Sequence, residues 1–169
     1  MRIVTVVLSM VLLSSSSSFT SGSAPAKTRR KSPAFVLRDA NGSPVKLSDY
    51  KGKVVVLDFW ATWCTGCKVE IPWFMEFQEK YKSQGLATIG AAMDDEGWEK
   101  VRPYINEHPF NYPIVAGDAA ALAKAFTITG LPLTLLIDRK GKIVDAHAGV
   151  VDKEAWELEV RSVLEERPR

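Results

Sequence analysis

Cysteine and histidine are both scarce, two of each in 169 residues. A single pair, Cys64 and Cys67, excludes the multi-bridge framework that staples small secreted domains. A metal site built on that pair would need His108 and His147, which lie 41 and 80 residues beyond Cys67 with no finger-like spacing, so no metal is expected. Haem attachment requires His directly after the second cysteine, and Lys68 stands there instead. An excess of one charge is also missing. Lys and Arg number 22 against 20 Asp and Glu, a formal +2 that builds no broad positive field, so nucleic acid is not expected as a partner. What remains is ordinary globular composition, 46% hydrophobic and 25% charged, of a length that suits one domain.

The N-terminus reads as an address. After Met1 and Arg2 come eleven uncharged residues, Ile3 to Leu13, then a serine tract, Ser14 to Ser18, and small residues to Ala26. A short apolar segment followed by small residues is the pattern of a secretory signal peptide, and a spanning helix needs about 20 apolar residues. Residues 1–26 are therefore expected to be a leader, with an uncleaved anchor, and so a membrane tether, as the alternative. Lys27, Arg29, Arg30 and Lys31 fall in a basic linker over 27–32, and residues 33–169 form the folded domain.

Along that domain, apolar segments flank Asn41-Gly42, a two-residue hairpin signal. Val54 to Trp60 is a nearly continuous β-branched and aromatic run, suited to a strand buried on both faces, with Asp58 its one charge. Helical spacing follows from Cys64 to about Lys82, with Pro72 expected to kink it. Further expectations are a strand over Leu86 to Ala92, helices over Trp98 to His108 and Ala119 to Phe126, strands over Leu133 to Ile137 and Lys142 to Ala148, and a closing helix over Lys153 to Glu166. Alternating strands and helices, ending in a hairpin and a helix, argue an α/β sandwich with a mixed central sheet. Asp94, Asp95 and Glu96 read as a solvated turn, with an acidic lip for a partner as the alternative.

Trp63-Cys64-Thr65-Gly66-Cys67 follows the buried strand and opens the long helix. Helix-terminal amides and the helix dipole favour a thiolate there, and a spacing of three brings both sulfurs within reach of one disulfide. Cys64, at the start, is the expected exposed nucleophile and Cys67 the resolving thiol. A purely structural bridge would gain little chain entropy across so short a loop.

The stretch Val54 to Cys67 (VVVLDFWATWCTGC), with Pro72 five residues on, resembles the active-site region of thioredoxin-like proteins, and more narrowly the extracytoplasmic TlpA/ResA-type thiol-disulfide oxidoreductases. Lys51-Gly52-Lys53, Gly130-Leu131-Pro132-Leu133-Thr134 and Leu136-Ile137-Asp138-Arg139-Lys140-Gly141 carry the same resemblance, over about residues 33–166. It implies a thioredoxin fold with an added N-terminal β-hairpin and no cofactor. Pro132 would be a cis-proline facing the disulfide, and the Leu131 backbone beside it a place for an extended substrate to pair. Trp63 would shield the disulfide and offer an apolar contact, while Thr65 and Gly66 would tune the redox couple. The proline common between the family's cysteines is absent, so no relative's potential transfers.

Thioredoxin carries an aspartate at the position matching Asp58. An ionised carboxylate inside a sheet is costly, and the expected role is to accept the Cys67 proton, with an ion pair to Lys53 as the alternative. The implied activity is exchange of a Cys64-Cys67 disulfide with cysteine-containing protein substrates, more as reductant than oxidant. It would be fed by a membrane or soluble electron donor, by a monomer in the periplasm or another extracytoplasmic space. Two other readings stay open. A peroxiredoxin-like peroxidase would want Thr and Pro where Ala61 and Leu57 stand, and a Sco-like copper module would want three residues between its cysteines.

Overall fold

The computed structural model describes residues 29–166; the expected leader, residues 1–26, lies outside them. The run at Val54 forms β3 (Val54–Trp60), buried at every position as a β-branched strand inside a sheet should be. Its neighbours are β4 (Leu86–Ala92), parallel to it, and β6 (Leu133–Ile137), antiparallel. β7 (Ile143–Ala148) closes one side against β6, and β5 (Ile114–Ala116) extends the other against β4. The N-terminal hairpin, β1 (Val36–Asp39) and β2 (Pro44–Lys46), attaches to β5, giving a seven-stranded mixed sheet in the order β2-β1-β5-β4-β3-β6-β7.

Four helices cover the sheet: α1 (Thr65–Tyr81), α2 (Trp98–Glu107), α3 (Ala119–Phe126) and α4 (Lys153–Glu165). Alternate residues of β3 face opposite layers. Val54, Val56 and Trp60 pack with Phe74 and Phe77 of α1 and Trp156 and Val160 of α4. Val55, Leu57 and Phe59 pack with Leu122 and Phe126 of α3 and with the hairpin's Leu37. Full burial of each such side chain contributes about 1.5–3 kcal/mol. Rings add directional contacts, among them Phe59 against Phe126 at 4.8 Å and Trp60 against Phe110 at 5.3 Å between centroids.

Three expectations change. The turn at Asn41-Gly42 is a three-residue loop, Ala40 to Gly42, because Gly42 adopts φ 78° and the Asp39 carboxylate accepts from the amides of Asn41 and Ser43 at 2.8 Å each. β5 is a strand that three apolar residues after Pro113 did not announce. α1 spans Thr65–Tyr81 with Pro72 inside it. The residues read as a linker are docked over Arg29–Ser32. Lys31 bridges Lys142, the Ile143 amide donates to Arg30 O at 2.8 Å, and Arg29 pairs with Asp138 at 3.2 Å and with Glu166. No helix among the described residues is long and apolar enough to cross a membrane.

Candidate active site

β3 ends at Trp60 and the chain turns at once into α1, so whatever occupies residues 61–67 is held at the C-terminal end of an interior strand and at a helix N-terminus together. Asp94, at the end of β4, braces this turn. Its carboxylate accepts from the Thr62 amide at 3.1 Å and from the Thr62 hydroxyl, and the side chain is buried, so the acidic block is not a wholly solvated turn. Cys64 caps α1. Its Sγ accepts from the Cys67 amide at 3.1 Å, and the two cysteines form a disulfide with Cα atoms 5.3 Å apart. When the bridge is reduced, that amide and the helix dipole favour the Cys64 thiolate. Cys64 is 5% exposed and Cys67 fully buried, so the expected order of access is present, although only a sliver of Cys64 reaches solvent.

The surroundings are apolar. Pro132, joined to Leu131 by a cis peptide bond, packs against the turn between the cysteines, since a Cβ built on Gly66 would lie 3.3 Å from Pro132 Cδ and 2.9 Å from Val150 Cγ2. Pro132 O accepts from the Gly149 amide at 2.9 Å, whereas no hydrogen bond engages the Leu131 backbone among the described residues. Trp63 is 67% exposed, which makes it a contact surface more than a shield. Thr65 is exposed at the first position of α1.

Asp58 and Glu70 form a buried acidic pair. Asp58 is fully buried on the same sheet face as Val56 and Trp60, and neither of its oxygens has a hydrogen-bond partner. Lys53 instead sits over the Tyr50 ring at 6.0 Å, so the ion pair weighed for Asp58 is not formed. Burial, reinforced by the negative charge of Glu70, holds the Asp58 carboxyl well above the usual carboxylate range. Glu70 is itself buried on α1. Its Oε1 accepts from the Val151 amide, and burial raises its pKa against the opposing pull of that N–H and of His147. The sequence reading missed Glu70, although its place three residues after Cys67 puts it on the same helix face as the resolving thiol. It read Asp94 as part of a solvated turn or an acidic lip rather than as a brace for the Cys64 loop, and it missed Val150, which the loop after β7 brings to the site. Among the described residues no group of three or more His, Cys, Asp or Glu is placed to hold a metal ion.

The sequence matches the AhpC/TSA family over residues 28–146. It is 33% identical over 135 residues to the thiol-disulfide oxidoreductase ResA of Bacillus thuringiensis subsp. konkukian, spanning 79% of this chain and 77% of that one. To ResA of Bacillus subtilis it is 36% identical over 119 residues, 70% and 66% of the two chains. Among solved structures, one described as thiol:disulfide interchange protein DsbE from Chlorobium tepidum superposes with a TM-score of 0.77 at 32% identity, covering 83% of this chain and 99% of that one. A thioredoxin-family thiol:disulfide interchange protein from the same organism gives 0.72 at 28% identity, with coverages of 83% and 99%. With its CxxC pair capping α1 beside a cis-proline, the chain belongs to the AhpC/TSA family and, within it, to the thioredoxin-fold thiol-disulfide oxidoreductases.

Proposed function

We propose that the protein is an exported, monomeric reductant of disulfides in cysteine-containing partner proteins. The observation that carries this reading is that Cys64 alone of the pair touches solvent, at a helix N-terminus rimmed by Trp63, Pro132 and Val150. The Cys64 thiolate attacks a substrate disulfide, forms a mixed disulfide and releases one substrate thiolate. Cys67 then loses its proton to Asp58 and attacks Cys64 Sγ. The internal disulfide closes, the second substrate thiolate leaves, and two electrons have passed to the substrate. A carboxylate with a raised pKa is suited to that step, because its proton affinity is nearer that of a thiol. An extended substrate segment pairs with the open Leu131 backbone. A membrane or soluble electron donor restores the dithiol. Export rests on the leader pattern of residues 1–26, and an extracytoplasmic space, the periplasm in particular, is the matching location.

Cys67→Ser is expected to accumulate a mixed disulfide through Cys64, whereas Cys64→Ser forms none; non-reducing gels with thiol trapping read both. Equilibration with dithiothreitol buffers measures the couple. A potential near about −270 mV or lower fits a reductant, and one near about −120 mV would reverse the assigned direction. Failure to form a reversible Cys64–Cys67 couple would overturn the reading.

A further inference from the structure

Arg139 ties one end of the molecule together. Its guanidinium donates to the carbonyls of Gly52, Gln84 and Leu164, at 2.9, 3.2 and 3.1 Å, and the Gly52 amide donates back to Arg139 O at 3.1 Å. The turns that lead into β3 and β4, the β6–β7 turn and the C-terminus of α4 therefore meet there. The segment Arg29–Ser32 joins them, because the Ser32 amide donates to Gly141 O at 2.9 Å and Lys31 bridges Lys142. This gathering brings six exposed cations to one end of the sheet: Arg30, Lys31, Lys51, Lys53, Lys140 and Lys142. They are scattered along the chain, and the formal total of +2 hides them.

Little acid neutralises this end. None of the six forms an ion pair among the described residues. Asp138 is buried, and its carboxylate accepts from the amides of Lys140 and Lys142 at 2.9 Å each and from Arg29. Glu79 pairs with Lys82 and Glu166 with Arg29, while Glu165 is exposed beside them. The opposite end, where Cys64 caps α1, does not share the excess: Asp95, Glu96, Asp118 and Asp152 are exposed around it, with Lys68 and Lys100. Six rises of about 3.3 Å separate Val54 from Trp60, so the two ends stand about 20 Å apart, about twice the screening length in 0.1 M salt. A charged surface that meets the basic end is hardly felt at the other.

We propose that the basic end is a docking surface for an anionic lipid bilayer, which holds the domain with Cys64 facing away from the membrane. Cations drawn from one docked segment and two turns suit a plane of mobile headgroups, which needs no groove to follow. The chain itself points to a bilayer as the source of negative charge: Arg29, the first described residue, lies at this end, and residues 14–28 are all that separate it from the apolar run Ile3 to Leu13. Each cation at such a surface strengthens binding about fivefold. The surface is independent of the direction in which Cys64 and Cys67 exchange electrons.

The test uses the full chain on phosphatidylcholine vesicles with and without a third of phosphatidylglycerol. The apolar run is present in both cases, so the comparison isolates headgroup charge. An amine-acylating reagent, read by peptide mass spectrometry, is expected to label Lys31, Lys51, Lys53, Lys140 and Lys142 about fivefold or more slowly on the anionic vesicles, while Lys100 and Lys124 label equally on both. After reduction, Cys64 reacts with a water-soluble alkylating reagent at one rate on either vesicle. With Lys51→Gln, Lys53→Gln, Lys140→Gln and Lys142→Gln combined, the protection of Lys31 is lost; Arg38→Gln, Lys100→Gln, Arg102→Gln and Lys124→Gln combined remove the same charge and leave it. Equal labelling of the five lysines on the two vesicles overturns the docking surface. Equal slowing of Lys100 and Lys124 assigns the effect to overall attraction and overturns it too, and slowed alkylation of Cys64 overturns the orientation. If duplex DNA at matched phosphate concentration protects the five lysines better than the vesicles do, the partner is a soluble polyanion and the bilayer is overturned.

Discussion

Asp58 is the residue at which stability and chemistry oppose each other. Its carboxyl is held well above the usual range, so the folded chain keeps a proton that the unfolded chain releases. Stability is then fully present below the unfolded carboxyl value, about 3.9, and is lost as pH rises toward the folded value. Asp58→Asn removes that dependence. Urea titrations should show the variant more stable than the parent by about 1–3 kcal/mol at pH 7, with the gap closing toward pH 4. The same variant should resolve the mixed disulfide more slowly. Gly66 carries a different constraint. A methyl group there meets Val150 Cγ2 at 2.9 Å and Pro132 Cδ at 3.3 Å, so Gly66→Ala forces Val150 to move. The expected cost is about 1–2 kcal/mol from overpacking, relieved by adding Val150→Ala; the double-variant cycle on thermal melts checks the coupling.

Among the elements, the turn from β3 into α1 depends on one side chain from the loop after β4. Asp94 holds the Thr62 amide and hydroxyl, and the Cys64 amide in turn donates to Ala61 O at 3.1 Å. Asp94→Ala leaves a half-buried amide and hydroxyl of Thr62 without their partner, at about 1–3 kcal/mol, and frees the loop that presents Cys64. Hydrogen exchange at residues 62–64 should quicken in the variant while β3 and β4 remain protected; unchanged exchange there would remove Asp94 from this role. Periodicity made most elements legible. β4, α3 and β6 have the bounds that apolar runs and turn residues indicate, and β3 is buried throughout because it is apolar apart from Asp58. β5 was not legible, since three residues hold too little pattern to distinguish a strand from a loop. The hairpin loop was misread because Asn-Gly serves both two-residue turns and the left-handed position of a three-residue loop.

At the scale of the molecule, the first and last described residues pack against each other. Arg29 reaches Asp138 at 3.2 Å and the Glu166 carboxylate just past α4, and partners on both sides raise its guanidinium pKa. The Arg29–Asp138 contact is largely shielded, whereas the Glu166 side chain is open to solvent, so the pairs contribute modestly. Arg29→Ala should cost about 1 kcal/mol, read as a drop of a few degrees in Tm, and the difference should shrink in 1 M salt. A variant beginning at residue 33 should lose more, because the backbone bonds of Arg30 and Ser32 to β7 and its turn go with it.

The amino-acid sequence by itself determined the fold class and the reactive pair, because both are written in local order: the period of the apolar residues, the Cys-Thr-Gly-Cys spacing, and a proline ahead of the last two strands. Tertiary structure decided what lies beside that pair. Glu70, Asp94, Thr134, His147 and Val150 come from α1, the loop after β4, β6, β7 and the loop beyond it, and only sheet register sets Asp58 opposite Thr134 and Thr134 opposite His147. Spacing along a chain encodes which residues share one helix face or one strand face. It does not encode which strand pairs with which or in what register, and that pairing places a half-buried imidazole in line with a buried carboxylate.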